Sequence, residues 1–178
     1  MKLYVTYCSA KKSRGIHSPD VLYISERITR FIERCRIASV NWAIFSALYA
    51  FFFPEEEKKD YNVTFRTDKN HWLGIAVVRD QHKLFYAQSK QHILQLVENL
   101  TQQAKKRDVK QIVFYGPSPK MMKCYLGVLH YAFDGCSKLH GWYDLIEHVK
   151  SQSKMVKVIN RLDAREFSLS MKLRCDTI

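Results

Sequence analysis

The stretch VNWAIFSALYAFFFP, from Val40 to Pro54, constrains the fold more than any other part of the chain. It is almost wholly apolar, and at Pro54 it gives way to the charge run EEEKKD, Glu55 to Asp60. A helix that spans a bilayer needs about 20 apolar residues. The run from Val40 to Phe53 is shorter than that and carries Asn41 and Ser46, so it belongs in a core and not in a membrane. Its first half, NWAIFS, is expected to be a buried strand, followed by a turn or short helix. The Phe51-Phe52-Phe53 group is then the packing that anchors that turn, and the charge run is a solvated lead-in to Tyr61.

The other apolar segments alternate in kind. KLYVTYC (Lys2 to Cys8) and KQIVFYG (Lys110 to Gly116) are short, β-rich and expected as buried strands. The segment Ser9 to Asp20, with Gly, Pro and four basic residues, is expected as a surface loop. A helix should follow with Ser25 as N-cap and Ile28, Phe31, Ile32 and Cys35 on its buried face. WLGIAVVRDQHKLFYAQ (Trp72 to Gln88) predicts a hairpin around Asp80-Gln81. Ser89 to Arg107 predicts an amphipathic helix burying Ile93, Leu96, Val97 and Leu100, with basic residues at its C-terminus where they suit the helix dipole. Ser118 and Pro119 open another helix. A shorter helix is expected around Trp142 to Val149, and a strand within Met155 to Asp163. Strand and helix in this order predict a single α/β domain over residues 1–178, its sheet largely parallel in the centre and flanked by helices, with one hairpin. Residues 150–178 are long enough to form an appended segment.

Charge limits the partners. Lys and Arg total 29 against 17 Asp and Glu, a net +12. An excess of this size points to a polyanion: DNA, RNA (tRNA included) or a phosphorylated nucleotide. Five scattered cysteines, with no signal peptide at the start, point to free thiols in a reducing, cytoplasmic setting. No cofactor motif is present; the lysines of the first loop lack the phosphate-loop pattern G-x-x-x-x-G-K-[ST]. Cys124, His130, Cys136 and His140 do not have the spacing of a structural zinc site, so no metal is expected.

In open α/β sheets, ligands bind beyond the carboxyl ends of the strands. The candidate residues are therefore Cys8 and Ser9 with Lys11 and Lys12 after the first strand, Ser46 and Tyr49 after the second, and Tyr115 at the third. The third strand end precedes a helix N-terminus, which favours anions. Lysines there can contact phosphate. Tyr49, Tyr61 and Tyr115, at strand ends or loops, can stack on bases. Cys8 beside lysines is a candidate nucleophile; the competing reading is a half-buried strand-end cysteine.

Residues 3 to 65 resemble the YaaA-like superfamily, in particular its small members. The resemblance rests on VTYCSAKKS (Val5 to Ser13), SPDVLYISERI (Ser18 to Ile28), WAIFSALYAFFFP (Trp42 to Pro54) and DYNVTF (Asp60 to Phe65), in that order. It implies an α/β fold with a positively charged cleft, and a distant likeness to uracil-DNA-glycosylase-like and tRNA base-exchange accessory domains. Carried over, Cys8, Ser9, Lys11, Lys12, Tyr23, Ser25, Ser46, Tyr49 and Tyr61 would surround one cleft. The function implied is binding of nucleic acid or a nucleotide, with action on a nucleobase or glycosidic bond as an extension. Two departures favour an alternative, a non-catalytic scaffold module that keeps the fold. The family's Lys and Gly stand here as Leu48 and Ala50, and Ala resists the positive φ that Gly permits.

Overall fold

A computed structural model describes residues 1–68, 71–79, 83–86, 89–116, 119–133 and 155–159. Its centre is strand β1 (Lys2–Tyr7), buried from Leu3 onward. β1 pairs in parallel with β3 (Trp42–Ser46) on one side and with β9 (Gln111–Tyr115) on the other. β10 (Val156–Ile159) extends the sheet in parallel beyond β9, and β4 (Ala50–Phe52) closes the other edge, antiparallel to β3. The order is β10-β9-β1-β3-β4. Parallel neighbours need crossovers, and α2 (Glu26–Ile37) supplies the one between β1 and β3.

Strand alternation assigns the two faces of this sheet. Thr6 lies beside Ile44 and Tyr115 in the register, so these share a face with Tyr4 and Trp42. α2 covers that face. Ile28, Phe31, Ile32 and Cys35 are its buried stripe, as their spacing predicts, and the Phe31 ring stacks on Tyr115 at 6.0 Å. Burial alone pushes the Cys35 thiol far above its ordinary range. Val5, Tyr7, Phe45, Phe51 and Phe114 point the other way, towards α3 (Ser89–Lys106) and α4 (Pro119–Phe133). Tyr125 of α4 meets both Tyr7 and Phe45 there, at 5.3 and 5.2 Å. The architecture is helix, sheet, helix, as the alternation of elements predicts.

The apolar run resolves into β3, a tight turn and β4. Phe45, Phe51 and Phe52 are all fully buried. At about 1.5–3 kcal/mol for each large apolar side chain, they outweigh the local strain of the turn. That strain sits at Ala50, whose φ is +61°. A left-handed conformation costs an L-residue about 1–2 kcal/mol. The backbone thus keeps the conformation that a glycine would adopt freely, with alanine in its place.

β4 is an edge strand, and its main chain is satisfied by a side chain. Gln103 of α3 accepts from the Phe51 N–H at 2.8 Å and donates to the Phe51 and Tyr49 carbonyls at 3.1 and 3.3 Å. An edge occupied in this way is a poor template for another strand.

Several local details depart from the sequence reading. Ser25 stands at the N-cap position of α2, but its hydroxyl makes no capping bond; its carbonyl accepts the Thr29 N–H instead. The segment Ser9 to Asp20 is more than a loop. It holds β2 (Ile16–His17) and leads into the short helix α1 (Pro19–Leu22). β2 pairs with β5 (Lys58–Lys59), which lies inside the charge run expected to be simply solvated. Arg107 also ties that run down, pairing with Glu55 and Glu56 while its guanidinium lies 3.7 Å from the Phe53 ring centre. The predicted hairpin is present as β7 (His71–Arg79) and β8 (Lys83–Tyr86), and β6 (Val63–Asp68), which the sequence reading did not assign, makes it a three-stranded meander. Turn Asp80-Gln81, the Ser118 cap, the helix around Trp142 to Val149 and the tail after Ile159 lie outside the described residues. Among the described residues, no helix is long and apolar enough to cross a membrane.

Candidate site at the carboxyl edge of the sheet

β1, β3 and β9 run the same way, so their carboxyl ends form one edge, where an α/β sheet offers a ligand site. Cys8 follows β1 there, its N–H bonded to the Phe45 carbonyl at 3.0 Å. The strand ends at this point, and Arg27 of α2 reaches the Cys8 carbonyl at 3.4 Å. The Cys8 Sγ lies 3.2 Å from the Tyr125 hydroxyl, and the residue is buried.

Two cations flank Cys8. Lys12 comes from the loop after β1. Its ammonium donates to the Ser9 carbonyl at 2.8 Å and sits 4.1 Å from the centre of the Tyr61 ring. Burial pulls its pKa below the ordinary lysine value, and the electrostatic influence of Cys8 and Asp60 pushes the other way. Arg27 comes from α2, on the opposite layer from Tyr125. Its guanidinium donates to the Thr6 hydroxyl and to the Tyr7 carbonyl (2.6 Å), and lies 3.7 Å from the Tyr7 ring centre. Burial lowers its pKa also, although a guanidinium stays charged across any working pH. Cations held in a partly desolvated position act more strongly on an anion than the same charges in water.

Beneath Lys12 runs a chain of buried hydroxyls. Ser46 donates to the Tyr61 hydroxyl at 2.7 Å, which lies 2.8 Å from the Tyr23 hydroxyl. Ser46 Oγ also accepts the N–H groups of Leu48 and Tyr49, at 3.1 and 2.9 Å, and so builds the turn that leads to Ala50. Ser46 is fully buried. Burial drives both Tyr23 and Tyr61 well above the ordinary tyrosine pKa, so both hydroxyls keep their protons.

The fold brings Cys8, Lys12, Ser46, Tyr61 and Tyr23 into one cluster, as the candidate set requires. Tyr49 stands at its rim, half-buried, with its ring 5.1 Å from Tyr61 and its hydroxyl donating to the Lys59 carbonyl at 2.9 Å. Ser9 is adjacent, and its hydroxyl donates to the Lys11 carbonyl. Tyr115 reaches the same edge, but one face of its ring is taken by Phe31. The Lys11 side chain is exposed and takes no part in these contacts, and Ser25 sits at the head of α2.

The sequence reading missed two members, Arg27 and Tyr125. Arg27 had a usable signal: it precedes the buried Phe31 by one helical turn and so faces the sheet. Tyr125 had none, because most residues of α4 are apolar in the sequence and no periodic stripe singles it out. Among the described residues, no three His, Cys, Asp or Glu side chains converge as a metal site would need. No family model matches the chain, and no curated protein or solved structure matches it either.

Proposed function

We propose that the carboxyl edge of the sheet binds the phosphate of a nucleotide or of a nucleic acid. The observation that supports this reading most directly is the pair of half-buried cations, Lys12 and Arg27, on either side of the β1 terminus, in a chain of net charge +12. Phosphate is the ligand that such a pair suits: Arg offers a planar fork of donors and Lys a point charge. Tyr49, at the rim and half-exposed, is the aromatic ring best placed to meet a base. Ser46, Tyr61 and Tyr23 support Lys12 and Tyr49 from below. The YaaA-like resemblance supports the same reading and extends it to chemistry at the base or its glycosidic bond, for which Cys8 and Lys12 are the reactive groups at hand. The buried Cys8 and Cys35 thiols suit a reducing, cytoplasmic compartment.

The test is a titration with a nucleoside monophosphate and with single-stranded DNA and RNA oligonucleotides at several salt concentrations. Binding should weaken as salt rises. Lys12→Gln should lower affinity about 10- to 100-fold, the worth of one charge-assisted hydrogen bond, and Lys12→Arg should restore part of it. Absence of binding, or a flat salt response, would refute the reading.

A second reading has one observation in its favour. The Lys12 ammonium and the Ser46 and Tyr61 hydroxyls all have partners within the fold. A non-catalytic module that keeps these groups for structure would lose stability, and no ligand affinity, on the same substitutions.

A further inference from the structure

Two basic segments far apart in the sequence are brought together beside the candidate site. Lys11 to Ser13 runs against Val21 to Ile24: Ser13 N–H bonds the Leu22 carbonyl at 2.8 Å, Ile24 N–H bonds the Lys11 carbonyl at 3.1 Å, and Lys12 bridges Tyr23. On its other side the same segment turns at Gly15, whose φ of +109° suits glycine alone, and pairs as β2 with β5. Asp60 locks that ribbon, its N–H bonding the Gly15 carbonyl at 2.8 Å and its carboxylate accepting the Gly15 N–H at 3.0 Å.

The surface that results is basic and apolar at once. Lys11, Arg14 and Lys59 are exposed on it. Ile16 is 64% exposed, Val21 52% and Ile24 47%. Ile16 and Lys59 are direct cross-strand partners and so share one face. Two of the nearby carboxylates are engaged: Asp20 pairs with Arg36, and Asp60 holds Gly15. Of the neighbouring glutamates, Glu55 and Glu56 pair with Arg107, Glu56 also with Lys58, and Glu57 is exposed. The surface is continuous with the site, since Lys59 holds the Tyr49 hydroxyl and Lys12 belongs to both.

We infer that this ribbon is a docking arm for a single-stranded polynucleotide whose terminal or flipped nucleotide enters the site at Cys8. The inference rests on the reading proposed above. Lys11, Arg14 and Lys59 take successive phosphates, and Ile16, Val21 and Ile24 lie against sugars and unstacked bases. A duplex would keep its bases stacked inside and leave these apolar side chains without a partner. A membrane surface fits less well. Interfacial segments are amphipathic helices that insert Trp, Phe or Leu, whereas this surface is a short ribbon beside a four-residue helix and exposes only Ile and Val.

The test uses the full chain and a variant with Lys11→Ser, Arg14→Ser and Lys59→Ser, all at exposed positions. The ligands are a single-stranded dodecamer, its duplex, a nucleoside monophosphate, and vesicles containing phosphatidylserine. Each phosphate contact to a single strand contributes a log–log salt slope of about −0.7. The variant should therefore lose a slope of about 2 for the dodecamer, about a 20-fold smaller change in affinity between 50 and 200 mM salt. Its affinity for the monophosphate should not change. The arm is refuted if the variant binds the dodecamer as the parent does, if the duplex binds as tightly as the single strand, or if the three residues matter for vesicles and not for the dodecamer. If the parent binds the dodecamer through these residues but binds no monophosphate, the arm stands and the phosphate site at Lys12 and Arg27 fails.

Discussion

Replacing Ser46 by alanine tests whether the buried hydroxyl chain holds the β3–β4 turn. The Ser46 hydroxyl makes three hydrogen bonds: it donates to Tyr61 and accepts from the Leu48 and Tyr49 amides. A net hydrogen bond contributes about 0.5–1.5 kcal/mol, so Ser46→Ala should destabilise the fold by about 3 kcal/mol. Water reaching the two half-buried amides would bring the loss towards about 2 kcal/mol. Tyr61→Phe removes the bonds to Ser46 and Tyr23 and leaves both partners buried, a cost of about 2–3 kcal/mol. The Ser46–Tyr61 bond is common to both single changes. The double variant should therefore fall about 1 kcal/mol short of additivity. Urea denaturation of the four proteins, with equal m-values as the check on two-state behaviour, measures this directly. Amide exchange should also show the Tyr49 N–H losing protection in Ser46→Ala. Strict additivity would mean that the two hydroxyls are not bonded. A loss below about 0.5 kcal/mol for Ser46→Ala would mean that the turn does not depend on Ser46.

Two further perturbations probe the strain and the charges around this site. Ala50→Gly relieves a left-handed alanine, worth about 1–2 kcal/mol, but gives up a buried methyl worth about 0.8 kcal/mol. The net should be a gain of up to about 1 kcal/mol, read as a higher urea midpoint; a loss above 1 kcal/mol would show that the turn is not left-handed there. Asp20 is acted on first by burial, which pushes its pKa up, and then by the Ser18 hydroxyl and the Arg36 guanidinium, which together hold it below its ordinary value of 3.8. A depressed carboxylate contributes stability that is present above that ordinary value and lost as pH falls through the lower folded value. Asp20→Asn should therefore be less stable than the parent at neutral pH, and the gap should close in acid. A gap independent of pH down to pH 2 would refute the pairing as its cause.

Much of the frame could be read from one-dimensional pattern. Ile28, Phe31, Ile32 and Cys35 recur at helical spacing, and that alone forecasts which face of α2 is buried. The strand ends at Cys8, Ser46 and Tyr115 could be named because parallel strands align their carboxyl ends along one edge. Local signals failed where a segment's structure comes from a distant partner. Nothing in IH or KK marks a strand; Ile16-His17 and Lys58-Lys59 become β2 and β5 only because they meet each other. The end of α3 falls within a residue of its predicted limit at Arg107. Ser39 and Asp108 close α2 and α3 in the left-handed conformation without the glycine that usually signals such an end.

The sequence by itself determined that Val40 to Phe53 must be largely buried, because so apolar a run is too short to span a membrane and too costly to expose. It also determined a sheet with helices on both faces, because strand and helix patterns alternate. Tertiary structure alone decided what the polar groups at the strand ends do. Hydroxyls and cations bond to whatever atoms the fold brings within about 3 Å, and many of those atoms lie on other elements. Hence Ser46 holds a turn and Tyr61, Arg27 reaches over the end of β1, and Ala50 accepts a backbone conformation that its own side chain opposes.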